Sequence, residues 1–256
     1  MFQNMRGIFL HTIYSARRDR FIIGILFGMI IASIIAGFLG STSIVESDQM
    51  RVIYASATCR FIIMIGMMVF ISFHIKRLFE NKEMDVFLSR IPSRASIIYS
   101  FVSSFLLISF VLIAQAVFIM CVIYMQDFVN IMYWGLTLML EAAVVVTMSL
   151  LLSIAIRSST LGLLMCFGGY FISRVIGNFV AYIDMSKAGL SFNSITEVIL
   201  KILSVIIPRL DLFAKSDFIV YGSYSLTSTG ILLAQAICYS IFITFVAIFD
   251  IRMREF

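Results

Sequence analysis

Residues 95 to 126 contain no charged side chain, and the runs 21–40 and 229–249 contain none either. About 20 apolar residues in a helix are enough to cross the hydrocarbon core of a bilayer, and there every backbone polar group needs a partner within its own segment. Three further runs, 52–75, 130–156 and 160–183, carry one charge each: Arg60, Glu141 and Arg174. The expectation is an all-α integral membrane protein with six transmembrane helices. The whole chain, 1–256, reads as one membrane domain without a long linker or internal repeat.

Composition supports this class. Apolar residues make up 61% of the chain and charged residues 13%, against about 25% in globular proteins. The mean hydropathy is +1.06. A net charge of +5 gathers on no basic face, so nucleic acid is not an expected partner. The charge is instead distributed by side. Of the 19 Lys and Arg, 12 fall with the amino terminus, residues 76–96, Arg157 and the carboxyl terminus, and 5 fall on the other side. Positive loops stay inside, so both termini and the 76–96 segment are expected to be cytoplasmic. The run 21–40 exceeds the apolar part of a secretory leader and lacks its small-residue cleavage site, and is read as a retained span. Cys59, Cys121, Cys166 and Cys238 are widely spaced within apolar runs and do not suggest a metal or redox site.

Residues 1–20 form an amphipathic helix ending in Arg17, Arg18 and Arg20, suited to a membrane surface. In the first span Gly24, Gly28, Ala32, Ala36 and Gly40 make an i, i+4 row of small residues, expected to admit a close helix neighbour or a second copy. The segment 76–96 is the one charge-dense island, with Met84, Phe87, Leu88 and Ile91 on one stripe of a short helix that Pro92 should end. That stripe needs the headgroup layer or a partner protein. Within 184–218, Ser194 to Glu197 fits a capping box for a helix reaching toward Pro208, too short to cross and expected to be re-entrant or interfacial.

No phosphate-binding loop, zinc-protease or serine-nucleophile motif occurs, so the chain is not expected to be an enzyme. An unpaired charge in hydrocarbon costs roughly 2.5 to 3.5 kcal/mol even on the lenient insertion scale. Glu141 is therefore expected to pair with one arginine while Arg60 reaches the outer headgroups; alternatively, Glu141 and Arg174 line a substrate path. A single acidic residue in the spans weighs against an ion-coupled carrier.

The order of parts resembles the membrane subunits of ABC-2 type export permeases. The residues that carry the likeness are ARRDR (16–20), ENKEMDVFLSRIPSR (80–94), RSST (157–160) and IPRLDLF (207–213). Ile91 directly before Pro92 departs from the family's usual segment. The resemblance implies an elbow helix at 1–20, a cytoplasmic coupling helix within 76–96, and contact with an ATP-binding subunit through Glu80, Glu83, Asp85, Phe87, Leu88, Arg90 and Arg94. It also implies that ATP and Mg belong to that partner, that no cofactor sits on this chain, and that two permeases assemble as a homodimer or heterodimer in a bacterial inner membrane. The resemblance leaves the substrate open; the expected substrate is lipid-like or otherwise amphipathic, and a non-transporting membrane scaffold is the other reading.

Overall fold

The computed structural model describes residues 2–42, 46–90, 94–156, 158–186, 207–215, 217–222 and 226–253. Among them every regular element is a helix: α1 (Phe2–Arg18), α2 (Arg20–Ser41), α3 (Ser47–Glu80), α4 (Glu83–Arg90), α5 (Arg94–Ile123), α6 (Phe128–Ala155), α7 (Ser159–Ser186), a 3₁₀ turn (Leu210–Ala214), α8 (Asp217–Val220) and α9 (Leu226–Met253). Six of these, α2, α3, α5, α6, α7 and α9, are long and apolar enough to cross a membrane, and the chain is a multi-pass membrane protein.

The joint between α1 and α2 is one residue wide. Asp19 takes an extended conformation and its carboxylate accepts the Phe21 N–H at 3.0 Å, supplying the cap that starts α2. Arg17 and Arg18 close α1 where its dipole is negative. The α3 helix runs 34 residues, about 51 Å at 1.5 Å per residue. It passes through Lys76 and Arg77 instead of stopping at 75, because nothing breaks it before Asn81 and the left-handed Lys82 (φ 56°). At the far end α5 stops at Ile123, earlier than the uncharged run suggests, and Met125 turns left-handed (φ 46°) ahead of α6.

α6 is the hub, packing against α3, α5, α7, α8, α9 and the 3₁₀ turn. α2 and α9 lie at the rim and turn phenylalanines and isoleucines outward, as hydrocarbon permits. The small-residue row on α2 does not act as one surface. Successive i+4 steps rotate about 40° around a helix of 3.6 residues per turn, so the row winds off any single neighbour. Its carboxyl-terminal half faces α3: Ala36 is buried and Gly40 lies against the Arg51 backbone. Its amino-terminal half is open, with nothing within 4 Å of a Cβ added at Gly24 or Gly28. The seam that joins α2 to α3 is instead Ile25, Met29, Ser33, Ala36 and Gly40, with Ile25 against Gly66 and Ser33 Oγ 3.2 Å from Cys59 Sγ.

The expected helix from 194 to 207 and the Pro92 stop lie outside the described residues. Beyond 207 the chain does enter the bundle: Leu210, Phe213, Phe218 and Ile219 are all buried.

Unfolding in detergent checks the divided row. Gly24→Ala and Gly28→Ala should each raise stability by about 0.5 to 1 kcal/mol through helix propensity. Gly40→Ala should lower it by about 1 to 3 kcal/mol, because its methyl would overlap the Arg51 backbone.

Candidate functional site

The three intramembrane charges meet. Arg60 stands 13 positions beyond Ser47 on α3 and Glu141 13 positions beyond Phe128 on α6, and the two helices start at the same end, which places both at one depth. Arg60 Nη1 donates to Glu141 Oε2 at 2.8 Å and to the Phe213 carbonyl at 2.6 Å, while Nη2 donates to Thr137 Oγ1 at 3.3 Å. Tyr170 on α7 donates to Glu141 Oε1 at 3.2 Å. Arg174, one turn further along α7, holds Nη1 3.6 Å from the same oxygen and its guanidinium over the rings of Phe61 and Tyr170.

The arrangement corrects two expectations. Arg60 does not reach outward; its side chain is 2% exposed, because a carboxylate and a backbone carbonyl are within reach inside the bundle. Glu141, fully buried, is shared by two arginines instead of one, leaving a formal surplus of one positive charge. Arg174 is the member that keeps some surface, at 17%. Tyr170, Thr137 and Phe213 had no mark in the sequence beyond one spacing: Leu210 and Phe213 at i, i+3 fit the period of a 3₁₀ turn. Removing one partner of a buried pair costs far more than the pair contributes, since the other charge stays in low dielectric.

A second polar cluster ties α1 to the α3–α4 corner. His11 and Ser15 on α1 and Asp19 at the joint that follows it are spaced by four residues, and each meets this corner. His11 Nε2 lies 3.6 Å from Glu83, Arg77 donates to Ser15 Oγ at 3.1 Å, and Arg77 sits 3.7 Å from Asp19. The His11 ring also meets Phe87 edge-on at 5.7 Å. On its other side α1 buries Ile8, Thr12 and Ala16, packed toward α5.

The apolar stripe of α4 is consumed here. Met84 is buried and Phe87 is packed against the core, so this part of the stripe faces the chain's own helices and not a partner. Arg94 likewise turns inward: it donates to the carbonyls of Ile251 at 2.8 Å and Arg252 at 3.3 Å, where the last turn of α9 has orphan acceptors. Among the described residues, α4 and its approach expose Glu80, Asn81, Lys82 and Val86, with Glu80 paired to Lys76 at 3.5 Å. The side chains of Asp85, Leu88 and Arg90 lie outside the described residues.

No protein-family model matches the chain, and no curated protein sequence matches it significantly.

Glu141→Gln should destabilise the protein by about 3 to 5 kcal/mol, and Arg60→Met with Glu141→Gln should recover most of that loss, read as melting midpoints in one detergent. Arg77→Gln should speed amide hydrogen exchange across residues 2–18 and leave α6 unchanged, because Arg77 bridges Ser15 and Asp19.

Proposed function

We propose that this chain is the membrane-spanning permease subunit of an ATP-driven ABC exporter of the ABC-2 type, set in a bacterial inner membrane with both termini cytoplasmic. A separate ATP-binding subunit holds ATP and Mg and does the hydrolysis, and a second permease copy completes the pathway. The substrate class is lipid-like or otherwise amphipathic. In this reading α1 is the elbow helix and α4 the coupling helix.

The observation that carries the reading is the corner where α1, α3 and α4 lock through His11–Glu83, Arg77–Ser15 and Arg77–Asp19. A push on α4 moves α1 with it, and α3 continues as one helix from Glu80 to Arg60, about 30 Å away. Nucleotide-driven movement at the corner therefore has a rigid lever ending at the buried ion cluster. Glu80, Lys82 and Val86 form the contact face for the ATPase, and Phe87 keeps the lever attached to α1. Arg60 and Glu141 are closed off inside a single chain, which puts the substrate route at the seam between copies, where Arg174 and the open Gly24 and Gly28 face lie. The same closure favours the second reading, a membrane scaffold that recruits a cytoplasmic partner without moving a substrate.

Purification of the tagged chain from its native membrane in mild detergent separates the two. An ATP-binding subunit should co-purify at equal stoichiometry and be lost from a Lys82→Glu, Val86→Asp double variant whose melting midpoint is unchanged. Recovery of other membrane or envelope proteins with no ATP-binding subunit overturns the transporter reading in favour of the scaffold.

A further inference from the structure

Two cavities of about 500 and 620 Å³ open side by side at the α1 end, and they share His74 and Arg77 in their walls. Their characters differ. The smaller has an apolar wall of Val69, Phe70, Phe73 and Phe21, with Phe73 and Phe21 exposed, and a charged side of Asp19, Lys76, Arg77 and Glu80 on which Arg77 meets Asp19 and Lys76 meets Glu80. The larger carries Arg17 and Arg18, neither of which has an ion-pair partner among the described residues, with Glu83 as its one acid. Arg20 begins the first span, so the basic cavity sits at the depth where phosphate headgroups lie.

His74 adds an independent observation. It is 2% exposed, stacked on Phe70 at 5.5 Å and edge-on to Phe105 at 5.8 Å, and neither ring nitrogen has a hydrogen-bond partner. A buried polar group left without a partner is a standing cost to the fold. At the wall common to both cavities, an oxygen acceptor from a bound molecule would satisfy the ring N–H.

We propose that the joined cavities hold one anionic phospholipid, with its phosphoryl oxygens against Arg17, Arg18 and His74 and an acyl chain along Phe21 and Phe73. Guanidinium forks match phosphoryl oxygens in geometry as well as charge, and basic pockets beside membrane helices take anionic headgroups on this principle. The apolar wall of Phe21, Val69, Phe70 and Phe73 distinguishes a lipid from a free phosphate ion, which would have no use for it. The site is separate from the buried ion cluster, and it stands whether or not the chain transports anything.

The test uses the full chain purified in detergent and titrated with phosphatidylglycerol, phosphatidylcholine or inorganic phosphate, with bound lipid counted by native mass spectrometry. Phosphatidylglycerol should be retained over phosphatidylcholine, and Arg17→Gln with Arg18→Gln should weaken its retention by about tenfold or more. Arg6→Gln with Arg252→Gln, which removes the same charge from exposed positions outside both cavities, should weaken it by less than about twofold. His74→Phe keeps the ring stack and removes the nitrogens; it should lower retention while leaving the melting midpoint equal or higher. Equal losses in the two arginine pairs, or unchanged retention in His74→Phe, overturn the site. Inorganic phosphate that binds with the same dependence on Arg17 and Arg18, and displaces the lipid fully, assigns the site to a soluble phosphate and overturns its lipid half.

Discussion

A carboxylate with no exposed surface holds three helices in register. Glu141 sits on the hub helix, and each of its oxygens takes a donor from a different neighbour, Arg60 of α3 on one and Tyr170 of α7 on the other, with Arg174 of α7 paired by charge at 3.6 Å. Apolar packing alone tolerates rotation and sliding of one helix on another, since lipid tails are as apolar as the side chains and give no hydrophobic drive between spans. The ion cluster does not tolerate it. A slide of one turn would move Arg60 about 5 Å along α3 and leave charges in hydrocarbon without a partner. The same guanidinium draws in the Phe213 carbonyl, which fixes the 3₁₀ turn as a plug between α3, α6 and α7.

The α1 end is organised by a different balance. There the polar residues are partly exposed, and the ion pairs that His11 and Asp19 make with the α3–α4 corner are 3.6 and 3.7 Å long. Pairs of this kind add little stability each and are weakened by salt. Their value is directional: two residues of α1 and the Asp19 that follows it, spaced by four, address one corner, so the helix docks in one orientation. A rigid centre and a lightly held lever at one end are what a protein needs if one end is to be moved and the centre is to respond.

The spans were legible because hydropathy and charge depend only on composition along the chain, and each of the six apolar runs lies on one of the six long helices. Which way a helix faces was less legible. Met84 and Phe87 share a stripe as their spacing requires, yet spacing cannot say whether the stripe meets a partner or the chain itself, and His11 of α1 covers it. Arg60, Glu141 and Arg174 stood out as costly charges, but their meeting depends on helix neighbours that no local pattern encodes. The Phe213 carbonyl was invisible for a plainer reason, since a backbone acceptor has no residue type. The row from Gly24 to Gly40 misled because an i+4 series looks straight in sequence and winds in space.

Arg60 and Glu141 are 81 residues apart, and Phe213 lies 153 residues beyond Arg60. Chain synthesis at roughly 5 to 20 residues per second puts about 4 to 16 s between the appearance of the arginine and that of its carboxylate. During that interval α3 carries a guanidinium that the finished protein neutralises and the growing one does not. Until α6 is made, that charge has no carboxylate to meet, and the cost of holding it in hydrocarbon falls on whatever water or lipid phosphate lies within reach of α3.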